Sequence, residues 1–295
     1  MDAATTTAKN NAVEAVFAKP KNRSWERFKQ NKIALVSLFI MLALILIAVL
    51  APWIAPYDPA AQNLLNRLKP PSSEHWFGTD EYGRDLLTRV MYGARVSLSV
   101  GIFAVVFNVI IGVLVGSIAG YYGGKIDSIL MRFVDIMLSF PFMFALITVV
   151  TLLRPSLFNI IAVLVAFGWM TKARLLRGQI LSVKNREFID AARTIGMSDA
   201  RIIFRHVLPN ALAPVIVSAT LQIGTMILTE SSLSFLGLGI QAPDASWGNL
   251  LQGAQSLTIL SKAPWYPIIP GFMIFLTIMC FNFIGDSLRS ALDSR

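Results

Sequence analysis

Asp135 and Glu230 each fall inside an apolar stretch of this 295-residue chain, where an ionised carboxylate costs about 2.5 to 3.5 kcal/mol on membrane-insertion scales. Carboxylates in such places face protein or water. The chemistry open to them is proton relay, lining of a polar pathway, or pairing with a cation. Arg132 lies three residues from Asp135 on the same helical face, so an interfacial ion pair is the plain reading there. Glu230 has no basic neighbour in sequence. For it a pathway, a partner subunit and simple exposure at headgroup level all stay open. Asn108 precedes a glycine stripe by one turn and suits hydrogen bonding across helices, more as packing than as a substrate ligand.

Other catalytic constellations are missing. Hydrolysis or metal chemistry needs a nucleophile, a base or a metal in mutual reach, and neither GxSxG nor HExxH occurs. Cys280 is the one cysteine, which excludes an intrachain disulfide framework; His75 and His206 are too far apart in sequence for a metal-ligand cluster of standard spacing. The run Ala119-Gly120-Tyr121-Tyr122-Gly123-Gly124-Lys125-Ile126 superficially resembles a phosphate-binding loop. Ala119 occupies its first glycine position and Ile126 replaces the magnesium-binding hydroxyl, so ATP binding by that motif is excluded. Gly237-Leu238-Gly239 is too short a glycine pattern for a dinucleotide site.

The elements that must hold these residues are membrane helices. The chain is 55% apolar and 15% charged, against roughly 25% charged in an ordinary soluble protein. A bilayer core takes about 20 apolar residues per helix, and six runs qualify: 33–51, 96–118, 133–153, 157–171, 213–233 and 266–284, the fourth being short. The first is longer than the apolar core of a signal peptide and is followed by no small-x-small cleavage site, so it is read as retained. Of the 26 Lys and Arg, 19 fall in the N-terminal segment and every second segment after it, and seven in the others. Basic residues concentrate in cytoplasmic loops, so both termini are expected in the cytoplasm. Topology therefore accounts for the net charge of +9, and no aromatic-interleaved basic patch suggests nucleic acid as a partner. The expected fold is all-α and polytopic with six transmembrane helices. Its parts are a basic N-terminal tail, 1–32, a first helix with an outer loop, 33–95, and a core, 96–295, containing a basic loop, 172–210. The first 20 residues read as a mobile tail.

Gly112, Gly116 and Gly120 recur every four residues on the second helix, a stripe that lets a neighbouring backbone approach, most simply within the chain. Pro141, Pro209 and Pro214 remove amide donors and favour kinks or helix starts.

Residues 186–209, REFIDAARTIGMSDARIIFRHVLP, read as two short helices. The first spans about Glu187 to Ile195 and ends at Gly196, suited to a left-handed cap. Ser198 is a good N-cap for the second, with Asp199 complementing its positive end, and that helix is expected to continue to Pro209. Phe188, Ala191, Ala192 and Ile195 form an apolar stripe. Small alanines at its centre suit docking into a protein groove, whereas an amphipathic segment can also lie on the bilayer; the pattern leaves both open.

Asp190-Ala191-Ala192, Gly196 and Leu208-Pro209 resemble the EAA loop of ABC importer permeases, with Asp190 in place of the usual Glu and His206 in place of the usual Ile. The stretch His75-Trp76-Phe77-Gly78-Thr79-Asp80-Glu81-Tyr82-Gly83-Arg84-Asp85 is similar to the HxxGTDxxGRD signature of dipeptide, oligopeptide and nickel permeases. Residues 230–239, Ser246-Trp247-Gly248 and 282–289 are similar to their C-type subunit, so the resemblance covers nearly all residues after about 25.

The resemblance implies the type I importer permease fold in a bacterial cytoplasmic membrane, with a cytoplasmic coupling helix between helices 4 and 5. It implies half of a pore for dipeptides or oligopeptides, paired with a homologous B-type permease, two ATP-binding subunits and an extracytoplasmic peptide-binding protein. ATP and magnesium would belong to the ATP-binding subunits, leaving this chain no cofactor, no metal and no catalytic residue. Glu187, Asp190, Ala191, Ala192, Gly196, Leu208 and Pro209 are the expected coupling residues; Asn108, Asp135 and Glu230 are candidates for the pathway or the subunit contact. Nickel is the alternative cargo within the family. A self-sufficient proton-coupled carrier using Asp135 or Glu230 is the alternative of another class.

Overall fold

The computed structural model describes residues 23–292, so the mobile-tail reading of the first 20 residues lies outside the described residues, while the end of the basic segment 1–32 is helical from Arg23. The regular structure of those residues is helical, with one isolated antiparallel bridge between Thr79 and Asp85. Helix α1 (Arg23–Gln30) leads through Asn31 into α2 (Lys32–Ile54), and the Asn31 side chain caps α2 by accepting from the amides of Ile33 and Ala34. One stripe of α2 packs inward through Ala34, Ser37, Met41, Leu44, Ala48 and Ala51. Phe39, Leu42, Leu46, Val49 and Trp53 on its other faces stay uncovered by the chain. A helix apolar all round with half of it uncovered is built for lipid.

Helix α3 (Leu86–Tyr122) has 37 residues, starting ten before the expected span. Asp85 sets its start, one carboxylate oxygen accepting from the Thr88 amide at 2.8 Å while the other meets His75 Nδ1 at 3.0 Å. The loop before α3 is thereby knotted onto the helix. Asp80, fully buried, accepts from the amides of Tyr82 and Arg84 and from Arg84 Nε at 2.6 Å. Gly83 has φ +71°, and a Cβ there would overlap the Asn63 carbonyl oxygen at 1.8 Å.

The third span, expected over 133–153 with Pro141 favouring a kink or helix start, begins earlier and is broken. It is α4 (Gly124–Ser139) and α5 (Phe142–Leu152), bent by 82° where they meet. Pro141 disfavours helical backbone in the residue before it, and Phe140 is extended at φ −75°, ψ 133°. The fourth span is correspondingly longer than expected. Helices α6 (Leu157–Gly168) and α7 (Met170–Val183), separated by Trp169, form one 27-residue apolar stretch that continues into the segment read as a loop from 172. Its charges are satisfied on the protein: Lys172 Nζ donates to the Ser218 carbonyl and hydroxyl at 3.0 and 2.6 Å.

The glycine stripe of α3 is the seat of α7. A Cβ at Gly112 would stand 2.5 Å from Lys172 Cβ, and one at Gly116 would stand 2.5 Å from the Ala173 carbonyl oxygen. Intrachain packing is thus its use. After α7 come α8 (Glu187–Thr194), α9 (Asp199–Ile202), a π-turn (Ile203–Val207) and α10 (Leu208–Ala211). Helix α11 (Ala213–Phe235) then crosses back, followed by short α12 (Trp247–Leu250), α13 (Leu257–Lys262) and the long α14 (Trp265–Leu292). Among the described residues, five helical stretches are long and apolar enough to cross a membrane, or six counting the bent pair as one span.

The candidate coupling segment and the buried polar groups

Helix α8 carries Glu187 and Asp190 in its first turn, where negative charge complements the helix dipole. Its end is set by Gly196 at φ +77°: the amides of Gly196 and Met197 return to the carbonyls of Arg193 and Ala192 at 2.9 and 3.1 Å. A Cβ at Gly196 would meet nothing within 4 Å, so the requirement there is purely one of backbone conformation.

The apolar stripe read from sequence is divided in the fold. Ile189 and Ala192 turn inward, packing with Leu176, Ile180, Ile202 and Leu208. Phe188, Ala191 and Ile195, spaced by three and four residues, form a separate outward line, Ile195 being 76% exposed, and Phe204 is 69% exposed on the following turn. One face therefore anchors the segment to α7 and the other is left free. Asp190 is solvent-facing and paired with Arg193 at 3.3 Å, and Glu187 is exposed.

The second helix of the segment is interrupted rather than continuous. Ser198 holds the N-cap position without a side-chain cap bond, and the Asp199 carboxylate instead accepts from the Tyr121 hydroxyl at 2.6 Å. Arg193 lies 5.8 Å over the Tyr121 ring, so the C-terminal end of α3 is clasped between both short helices. The π-turn ends with the Leu208 amide reaching Ile203 O. Pro209, which has no amide, follows at the start of α10 with its ring exposed, while Leu208 is buried.

Asp135 is paired, but not with Arg132. Its partner is Arg174 of α7 at 2.5 Å, and Asp127, which sequence reasoning passed over, holds Arg177 through both oxygens at 2.5 and 2.6 Å. The signal was present: the two acids are eight residues apart on one helix and the two arginines three apart on another. Lys184 Nζ donates to the Gly120 carbonyl at 3.0 Å, tying the end of α7 to α3.

Glu230 is 0% exposed, which overturns headgroup-level exposure. Ser234 Oγ donates to it at 2.7 Å, with the hydroxyls of Ser97 and Ser231 at 3.4 Å. Ser97 Oγ also accepts from the Trp247 amide at 3.1 Å, so the carboxylate joins α3, α11 and α12. The serines were visible in sequence, but their convergence is tertiary. Asn108 is 0% exposed and packs against Gly168, with both amide atoms lacking a hydrogen-bond partner. It and Asp135 are not brought together with Glu230. His75 is buried on Asp85, a structural position in the knot before α3.

The model for binding-protein-dependent transport system inner membrane components matches residues 112–295, and that for the N-terminal transmembrane domain of oligopeptide transport permease C matches residues 20–71. The dipeptide transport system permease protein DppC of Alkalihalophilus pseudofirmus is 48% identical over 276 residues, which are 94% of this chain and 90% of that protein. The oligopeptide transport system permease protein OppC of Haemophilus influenzae is 46% identical over 272 residues, 91% of this chain and 86% of that protein. An inward-facing crystal form of the MetNI methionine ABC transporter aligns with a TM-score of 0.54 at 20% identity, covering 70% of this chain and 97% of that one, a likeness of fold. With the fold of an ABC importer permease and relatives of this identity over nearly its whole length, the chain belongs to the family of binding-protein-dependent transport system inner membrane components.

Proposed function

We propose that this chain is half of the translocation pore of an ATP-driven peptide importer in a bacterial cytoplasmic membrane. The observation that carries the reading is the uncovered line Phe188, Ala191 and Ile195 on a helix anchored by Ile189 and Ala192. A short helix with one face fixed to a membrane span and the other bare suits insertion into a cleft of an ATP-binding subunit. Glu187 and Asp190 would rim that contact, Gly196 would set the helix end, and Leu208 and Pro209 would fix the return to the membrane. The remaining partners are a homologous B-type permease, a second ATP-binding subunit and an extracytoplasmic peptide-binding protein, with ATP and magnesium held by the ATP-binding subunits. The alternation of basic segments supports cytoplasmic termini. Peptide cargo is favoured because the relatives are named for dipeptides and oligopeptides.

The test is uptake into proteoliposomes carrying the complete complex, with the binding protein outside. ATP-dependent uptake of labelled dipeptides or longer peptides is the expected result. Uptake of nickel alone would replace the cargo, and uptake by this chain alone under a proton gradient would replace the mechanism.

A further inference from the structure

We infer that Asp127 and Asp135 are the grips by which the coupling segment moves the bent third span, with Arg177 and Arg174 as their handles. The inference rests on the ATPase-coupled reading above and assigns the internal linkage that the reading leaves open. Helix α4 is thinly packed: of its residues, Val134 alone is buried by the rest of the chain. Three side-chain contacts fasten it to α7 and the Trp169 junction at its start. They are the two-oxygen pair of Asp127 with Arg177, the pair of Asp135 with Arg174, and Phe133 stacked with Trp169 at 6.4 Å between ring centroids.

The geometry of the two ion pairs makes them a brace. Eight residues separate the acids, about 12 Å along α4, whereas the arginines are about 4.5 Å apart along α7. Struts that converge in this way resist both sliding and rotation of one helix on the other. The two-oxygen guanidinium pair adds a fixed plane, which a single-point contact lacks. Helix α7 is continuous to Val183, and α8 begins four residues later at Glu187. At its far end α4 stops at extended Phe140, and Pro141 turns the chain by 82° into α5. A displacement of α8 therefore reaches α4 through a stiff path and is absorbed at a single joint. Asp135, considered from sequence as a pathway residue, becomes a positioning residue.

The experiment uses the complete reconstituted complex with its binding protein. Uptake per ATP hydrolysed is measured for Asp127→Arg, Arg177→Asp and the double exchange. Each single change should lower that ratio about tenfold, within the usual range of coupling energies, while hydrolysis stimulated by the binding protein persists. The double exchange should restore the ratio. Singles at the wild-type ratio, or an exchange that assembles but stays uncoupled, would overturn the inference. A second measurement needs no cargo: spin labels at Ser128→Cys with Ser182→Cys, or Ser128→Cys with Thr148→Cys, in a Cys280→Ser background. ATP binding should leave the first distance unchanged and alter the second, and Arg174→Ala with Arg177→Ala should abolish that alteration. An alteration that survives the arginine changes, or none in the wild type, overturns the brace. A wild-type complex that moves no peptide overturns the functional reading instead.

Discussion

Glu230 and Asp135 are carboxylates on membrane helices handled in opposite ways. Glu230 is sealed, its oxygens spent on serine hydroxyls from its own helix and from α3. Asp135 and its arginine are each about half exposed, at 53% and 51%, and join helices that otherwise barely pack. A sealed hydrogen-bonded cluster is costly to open, because each hydroxyl left unpaired in a buried site carries its full desolvation penalty. An exposed ion pair contributes little to stability. The first arrangement suits a place that must not move and the second a place where direction of movement matters more than strength.

That contrast can be tested by substitutions ranked by their effect on the folded subunit. Gly116→Leu should be the most severe, since even a Cβ would stand 2.5 Å from the Ala173 carbonyl oxygen, and folded protein should vanish from the membrane. Gly178→Leu is the control, because nothing lies within 4 Å of a Cβ there. Next, Glu230→Ala should cost about 1 to 3 kcal/mol by stranding buried hydroxyls, read as a lower Tm in nanodiscs, with Glu230→Gln retaining at least half of the loss. An unchanged Tm for Glu230→Ala would break the comparison. Gly196→Ala should cost about 1 kcal/mol through left-handed backbone alone, seen as faster hydrogen exchange at Ile195 and Met197 with little change in global Tm. Asp135→Ala should be mildest, below about 1 kcal/mol, while still lowering uptake per ATP. A large drop in Tm for this last variant would mean that the α4 acids, like Glu230, serve as structural clamps.

The spans were legible because an apolar run of membrane length has few other readings, and α2 and α11 fall almost where composition places them. The glycine stripe was legible too, since a four-residue repeat of missing side chains implies a close neighbour. What composition hid was the inward reach of charge. Lys172, Arg174 and Arg177 suggested that the membrane helix had ended, yet each is satisfied by Ser218 or an α4 acid and the helix runs on to Val183. Pro141 announced a break without giving its angle. In α8, Ala191 and Ala192 are adjacent in sequence but fall on opposite sides of the line between buried and bare, a division that depends on where α7 lies. The serine cage of Glu230 joins residues up to 133 apart, and no local pattern encodes it.

Helix α3 has 37 residues and so measures about 55 Å, against about 30 Å for the hydrocarbon core. The rod therefore projects well beyond the oily layer, and both of its tips are fastened, one to the Asp85 knot and the other to Asp199 through Tyr121. Fastened at both tips, such a beam is a tie-rod: it holds the Asp85 knot and the Asp199 segment at a fixed separation.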